Sequence, residues 1–245
     1  MLTLTGVVAG YGGGGNVLQG VDLSCPAGSI TCVVGPNGAG KSTVLRVISG
    51  LLRPRGGAVT FDGHPIGGIA PDAVLRLGVA HVPQSHALFP SMTVRENVLM
   101  GGFLVRRDRA LLRRRYQAVA DLVPLIGQRQ GDRAGNLSGG QRRMVEIGRC
   151  LMLGPRLIML DEPSLGLDPQ GLRAVAGLIR QLNQDGTTVL LVEQNVRFGL
   201  GIASRGVVMD SGVVRLDGPA EEIMRHPEIA TLYLGGTASK PAAAG

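Results

Sequence analysis

A glycine-rich segment between an apolar run and a helical pattern constrains the fold of this chain more than any other feature. The segment fits the pattern G-x-x-x-x-G-K-[ST] and consists of Gly35, Pro36, Asn37, Gly38, Ala39, Gly40, Lys41, Ser42 and Thr43. Glycines in this context let main-chain N–H groups close around phosphate oxygens at the N-terminus of a helix. The segment therefore predicts a strand–loop–helix unit that binds a nucleotide. In it, Lys41 would contact the β- and γ-phosphates and Ser42 would be a ligand of Mg²⁺.

A second apolar run supplies the acidic groups that such a loop needs. Leu157–Leu160 are all apolar and are followed directly by Asp161 and Glu162. A buried strand here would present both carboxylates at its end. We expect Asp161 to hold Mg²⁺ through water, and Glu162 to polarise the water that attacks the phosphate.

The rest of the chain alternates between strand and helix patterns, which predicts an α/β fold with a mostly parallel sheet covered by helices. Asp62-Gly63 predicts a hairpin turn, and residues 91–153 are helical in pattern, with interruptions near Pro124 and at 131–137. The predicted strands are 2–8, 20–24, 30–34, 58–61, 78–83, 157–160, 187–192 and 206–209, and the predicted helices are 40–50, 169–184 and 195–204.

Net charge and cysteine content narrow the possible partners and the cellular compartment of the protein. The net charge of +7 permits a nucleic-acid, membrane-surface or acidic partner without selecting one. The densest basic segment, 106–115, is either a solvated helix face or a contact with anionic lipid headgroups. Cys25, Cys32 and Cys150 are odd in number and lack metal-ligand spacing, which favours reduced thiols in a cytosolic protein. The N-terminus does not fit a signal peptide, and no apolar run reaches the roughly 20 residues of a membrane span.

A third motif, at 137–141, indicates the protein family that the chain resembles. Leu137 is followed by Ser138, Gly139, Gly140 and Gln141. With this signature the chain resembles ABC-type ATPases over almost its whole length, with every motif in the family's order. The resemblance implies a P-loop NTPase core with an N-terminal antiparallel β subdomain and an inserted α-helical subdomain. We expect the core at 1–85 and 155–236, the insert at 86–154 and a frayed tail at 237–245.

The resemblance also implies roles for individual residues. The signature residues Ser138, Gly139, Gly140 and Gln141 would complete the nucleotide site of a second subunit, so that two subunits close head-to-tail around two ATP molecules. Ser138 can also cap a helix. Tyr11 matches the aromatic residue that stacks on adenine. Gln84 matches the glutamine that senses Mg²⁺ and water, and Asp168 ends a loop that touches the opposite site.

Gln194 occupies the position where most of the family has a histidine that contacts the γ-phosphate and the attacking water. Glutamine keeps a neutral N–H donor but loses the ring and its titration near neutral pH. One hypothesis is a working catalytic site whose pH response is blunted. The other is a weakened site that depends on a second subunit carrying the histidine.

Four segments indicate the branch of the family. VEQN at 192–195, together with 92–103, 161–167 and 233–236, resembles the smaller ATPase of branched-chain amino-acid importers. That resemblance implies a second ATPase subunit, two transmembrane permeases gripped by the helical insert, an extracytoplasmic binding protein and a place on the inner face of the cell membrane, with no nucleic-acid partner. Three alternatives remain: a urea or short-amide importer, a lipid or lipopolysaccharide exporter, and a soluble ABC protein of translation or DNA repair.

Overall fold

A computed structural model of the protein describes residues 1–84 and 88–229. Residues 85–87, at the predicted start of the insert, lie outside this part of the chain. So do the segment 233–236 that contributed to the predicted branch and the predicted tail at 237–245.

The described residues form ten strands and nine α-helices. The strands are β1 (Leu2–Ala9), β2 (Leu18–Cys25), β3 (Ile30–Val34), β4 (Gly56–Phe61), β5 (His64–Pro65), β6 (Val79–Val82), β7 (Leu157–Asp161), β8 (Thr188–Glu193), β9 (Arg205–Asp210) and β10 (Val213–Pro219). The helices are α1 (Lys41–Ile48), α2 (Pro71–Arg76), α3 (Val94–Met100), α4 (Arg109–Leu122), α5 (Pro124–Gln128), α6 (Gly139–Leu151), α7 (Pro169–Gln184), α8 (Val196–Ile202) and α9 (Ala220–Arg225).

The strands build two sheets. The first is antiparallel, in the order β2-β1-β4-β5, and contains the hairpin predicted from Asp62-Gly63. The second has the order β10-β9-β3-β8-β7-β6 and is parallel except for β10, which pairs antiparallel with β9. The predicted fold class is confirmed, and the carboxyl ends of β3, β7 and β8 meet at one edge of the sheet, where polar residues follow each strand.

Side-chain alternation in the parallel strands separates two hydrophobic cores. In β7, Ile158 and Leu160 point into one core, while Leu157 and Met159 point into the other. The first core is shared with α3–α8 and the second with the antiparallel sheet and α1. Because β3, β7 and β8 are buried on both faces, their residues are apolar except for two threonines and the acids that end β7 and β8. This burial fixes the strand ends that carry the polar residues.

The predicted helical stretch at 91–153 is more interrupted than the sequence indicated. Besides the predicted break before Pro124 and the short 3₁₀ turn Ala134–Asn136, the chain leaves helix between α3 and α4 and forms a second 3₁₀ turn at Phe103–Val105. Gly101 makes this possible, because a Cβ there would lie 1.9 Å from the carbonyl oxygen of Arg149. α3 begins with a capping box in which the Thr93 and Glu96 side chains satisfy each other's main-chain N–H groups.

Two arginines of the basic segment 106–115 make contacts within the chain. Arg106 lies over the exposed ring of Phe103, with its guanidinium carbon 3.9 Å from the ring centre. Arg115 donates instead to the carbonyl oxygen of Met152, 3.0 Å away. None of the helices in the described part of the chain combines the length and the apolar character that a membrane span requires.

Candidate active site

The glycine-rich loop has the backbone geometry that a phosphate-binding loop requires. α1 begins at Lys41 after Gly40, whose φ of 98° is left-handed, and Gly38 has a φ of 82°. These conformations favour glycine because a side chain there would clash with the backbone. At Gly35 the limit is space, because a Cβ would lie 2.2 Å from the carbonyl oxygen of Met209 in β9. The loop therefore has a defined shape at the N-terminus of a helix, where N–H groups and the helix dipole favour an anion.

Lys41 is buried inside this loop. Its Nζ donates to the carbonyl oxygens of Gly35 and Pro36, each 2.9 Å away, and lies 3.9 Å from Oε1 of Glu162. Burial lowers the pKa of the ammonium group, and the carboxylates of Glu162 and Asp161 oppose that shift. The lysine is held at the centre of the loop, beside the acid that follows β7.

Asp161, the last residue of β7, faces the first turn of α1. The hydroxyl of Ser42 donates to Oδ1 of Asp161 at 3.0 Å. Burial raises the pKa of this carboxyl group, and the Ser42 hydrogen bond counteracts the shift. The structure thus brings together two of the oxygen ligands that the sequence predicted for Mg²⁺.

Glu162 has a strained main-chain conformation, and hydrogen bonds hold the residue in place. Its φ is 45°, which is rare for a non-glycine residue, and its N–H donates to the carbonyl oxygen of Val192 in β8. Nε2 of Gln84 donates to Oε2 of Glu162 at 2.9 Å. The carboxylate therefore has one oxygen oriented by Gln84 and the other near Lys41.

Two clefts meet at Glu162. The first, of about 320 Å³, is lined by Asn37, Gly38, Gly40, Lys41, Ser42, Thr43, Gln84, Glu162 and Val17. The second, of about 330 Å³, is lined by Glu162, Gln194 and the segment 164–166, among others. Gln194 is exposed and borders the same acid from the other side. None of the residues 138–141 lines the cleft of the phosphate-binding loop.

The signature motif begins α6, as the sequence predicted. The Ser138 hydroxyl accepts from the N–H of Gln141, and the Gln141 side chain accepts from the N–H of Ser138. Gly140 has no room for a side chain, since a Cβ there would lie 2.9 Å from Cα of Gly171 at the start of α7. The two helices approach each other closely at their N-termini, and the signature is anchored to α7.

Asp168 and Tyr11 have contacts within the chain. Oδ1 of Asp168 accepts from the N–H of Gly171 at 2.6 Å, so Asp168 caps α7. Tyr11 is 44% exposed, and its hydroxyl lies 3.2 Å from both Oγ1 of Thr43 and Nη1 of Arg46. These contacts place the tyrosine beside the phosphate-binding loop, and its predicted stacking on adenine stays a prediction.

Comparison with known proteins identifies the family to which this site belongs. Residues 18–165 match the ABC transporter family. The chain belongs to the ABC transporter family. This ABC subunit is 36% identical over 229 residues to the high-affinity branched-chain amino acid transport ATP-binding protein BraG of Pseudomonas aeruginosa, covering 94% of this chain and 97% of the relative.

Solved ABC cassettes have the same fold as this ABC subunit. The ADP conformation of the cassette MJ1267 superposes with a TM-score of 0.86 at 28% identity, over 96% of this chain and 99% of that one. The cassette MJ0796, solved as a dimer bound to ADP and Pi, gives a TM-score of 0.78 at 28% identity, over 90% and 99%. The predicted P-loop ATPase fold and nucleotide-binding activity are thereby confirmed.

One residue that the sequence analysis missed joins the helical region of this ABC subunit to the acid after β7. Arg143, on α6, is 4% exposed. Its guanidinium donates to the carbonyl oxygens of Pro83, Gln84 and Glu162 and pairs with Glu146 at 3.0 Å. Arg143 directly follows Arg142, and in the sequence this pair looked like part of a solvent-exposed helix face. The signal that could have found it is its position on the buried face of α6, four residues before Ile147.

Glu193 is the other residue to which the sequence analysis assigned no role. It ends β8, is 1% exposed, and contacts Ser164 and Asn195. Burial raises the pKa of its carboxyl group to about 7, against the lowering effect of hydrogen bonds from Ser164 and Asn195. A glutamate at the end of an apolar run was a signal for a buried acid, but the sequence analysis assigned a role only to Gln194, which follows it.

Proposed function

We propose that this chain is the ATP-hydrolysing subunit of an importer for branched-chain amino acids. The hydrolytic part rests on one observation, the grouping of Lys41, Ser42, Gln84, Asp161 and Glu162 around a single cleft. The choice of amino acids rests on the likeness to BraG, which covers nearly the whole of both chains.

The hydrolytic step follows from the positions of Lys41 and Glu162. Lys41 neutralises charge on the phosphates, because the carbonyl oxygens of Gly35 and Pro36 hold its buried ammonium inside the phosphate-binding loop. Glu162 orients or deprotonates the attacking water, because Gln84 fixes one of its carboxylate oxygens. Gln194, across the second cleft, offers an amide donor toward the same water.

The oxygen groups around Ser42 and Asp161 fit Mg²⁺. This cation prefers oxygen ligands and commonly takes only one or two carboxylates, with substrate phosphates and water supplying the rest. The described residues contain no cluster of three or more His, Cys, Asp or Glu side chains that could hold a metal without such help. Ser42, Asp161 and the Gln84 carboxamide would hold the ion, which screens charge on the phosphates.

A second ATPase subunit would complete the site. The signature residues line no part of this chain's own phosphate cleft, yet their helix N-terminus is suited to an anion. A signature supplied by the partner, in the head-to-tail arrangement expected for the family, would close the cleft over ATP. The dimeric form of the cassette MJ0796 supports this arrangement.

A cavity next to Gln84 fits a cytoplasmic helix of a permease. Its volume is about 490 Å³, and its lining combines apolar side chains with Ser42, Gln84 and Asp161. The apolar side includes Leu51, which is 61% exposed. A permease helix seated here would contact the core and would reach Gln84, which directly precedes the predicted insert. This docking would keep the subunit on the inner face of the membrane, with the extracytoplasmic binding protein delivering substrate on the far side.

Uptake by cells tests the proposal. Cells lacking this chain would be complemented with the wild type or with Glu162→Gln, and uptake of labelled leucine and labelled urea would be measured. We expect the wild type to restore leucine uptake and the variant to fail. Recovery of urea uptake alone would mean that this chain serves an importer for urea or short amides. If neither uptake depends on the chain, the importer assignment is wrong and an exporter becomes the alternative to test.

Gln194→His distinguishes the two hypotheses about the glutamine. We expect single-turnover ATP hydrolysis to change by less than about tenfold, or roughly 1.4 kcal/mol in the barrier, because Lys41 and Glu162 keep their contacts. The measurement is the rate of phosphate release with enzyme in excess over ATP. A gain on the order of a hundredfold would instead mean that the glutamine weakens the site and that a histidine-bearing partner does the work.

A further inference from the structure

Glu193 is a buried acid at the centre of the site to which no role has yet been assigned. It is the last residue of β8 and directly precedes Gln194. Only 1% of its surface is exposed. A buried carboxylate is costly unless it is hydrogen-bonded, so its partners show what it holds in place.

The partners lie in two different segments. Oε1 accepts from the main-chain N–H of Ser164 at 2.9 Å, and Oε2 accepts from the Ser164 hydroxyl at 2.7 Å. Oε2 also accepts from the N–H of Asn195 at 3.3 Å. One carboxylate thus joins the end of β8 to the segment 164–168 that connects Glu162 to α7.

Contacts continue from this segment toward the signature. Asp168 caps α7 through Gly171, and Gly171 is in close contact with Gly140 of the signature helix. A shift of Ser164 would therefore affect both the loop expected to face a partner subunit and the packing of the signature.

We infer that Glu193 is a positioning residue that clamps the segment 164–168 to the end of β8 and so sets the geometry among Glu162, Gln194 and the signature for hydrolysis. It lines the cleft beside Gln194 and not the cleft of the phosphate-binding loop. The inference rests on the proposed ATP hydrolysis.

The clamp depends on the charge of Glu193. The titratable groups that influence it are Glu162 after β7, Lys41 on α1 and Cys32 on β3, while α8 presents only Gly199. Burial raises the pKa of Glu193 to about 7. The ionised carboxylate accepts from all three donors, and protonation replaces one acceptor position with a donor. The clamp is therefore complete above pH 7 and weakens as the pH falls through 7.

Amide exchange measures the clamp without any need for hydrolysis. The variants are Glu193→Gln, which keeps the shape but places an NH₂ group among the donors, and Ser164→Ala, with exposed Glu222→Gln as control. At pH 8, we expect hydrogen exchange of the peptide amides at 164–167 to speed up at least about tenfold in Glu193→Gln, and to be unchanged in Glu222→Gln. Unchanged exchange in Glu193→Gln would overturn the inference.

Single-turnover hydrolysis gives the second readout. We expect Glu193→Gln and Ser164→Ala each to lower the rate by about tenfold or more, with ATP affinity changed less than about threefold, and the double variant to be no slower than the slower single variant. The wild-type rate should fall between pH 8 and pH 6, and Glu193→Gln should flatten that dependence. Multiplying effects in the double variant, or an unchanged pH profile, would contradict the clamp. A wild type that hydrolyses no ATP would contradict the proposed function instead.

Discussion

Replacing Glu162 with glutamine is expected to lower the rate of ATP hydrolysis at least about a hundredfold while leaving ATP binding nearly intact. The amide keeps the hydrogen bond from Gln84 but cannot take a proton from water. It also places an uncharged group 3.9 Å from the Lys41 ammonium in place of a carboxylate oxygen. Loss of that negative charge leaves the phosphates as the main counterions of Lys41, so affinity for ATP should not fall.

Two measurements on the same preparation check this result. Phosphate release in a single turnover gives the rate, and equilibrium titration with ATP gives the affinity. The matched control is Glu228→Gln, a solvent-exposed site on the same chain, which should retain the wild-type rate. A Glu162→Gln variant that hydrolyses ATP within about tenfold of the wild type would show that another group activates the water.

Arg143→Ala is expected to lower the free energy of unfolding by about 3 kcal/mol or more. The change removes three hydrogen bonds to main-chain carbonyl oxygens and a buried ion pair with Glu146. Hydrogen bonds from charged groups contribute roughly 1.5–3 kcal/mol each, and breaking a buried ion pair costs about 3–5 kcal/mol, although such effects do not simply add. The carbonyl oxygen of Glu162 is one of the acceptors, so hydrolysis should fall as well.

Chemical denaturation followed by circular dichroism measures the loss of stability. The control is Arg142→Ala on the same helix, which is only partly buried and should change the unfolding free energy by less than about 1 kcal/mol. Equal effects of the two substitutions would mean that the Arg143 contacts carry no particular weight.

Local pattern was enough to predict the motifs and the long regular elements. The strand before Gly35, the strand before Asp161 and the helix α7 were predicted almost to the residue. Each combines an apolar run with a strong local start or stop signal. The strand β10 and the short helices α2 and α9 were missed, although the turn at Ser211-Gly212 was a usable signal for an antiparallel strand after β9.

Contacts between distant segments were not predictable in the same way. Arg143 and its acceptor Pro83 are 60 residues apart, and Glu193 and Ser164 are 29 residues apart. The local sequence could indicate that each side chain is buried, but it could not indicate which distant groups the side chain binds. The chemistry of the site was therefore readable from its motifs, while the residues that hold the motifs in place needed the fold.

The left-handed main chain at Glu162 sets the stability of the fold against the chemistry of the site. With its φ of 45°, this position disfavours any side chain with a Cβ by roughly 1–2 kcal/mol relative to glycine. Folding alone would favour glycine, yet the chain carries a glutamate. A cassette with glycine at this position would gain that stability and would lose the carboxylate that acts on the attacking water.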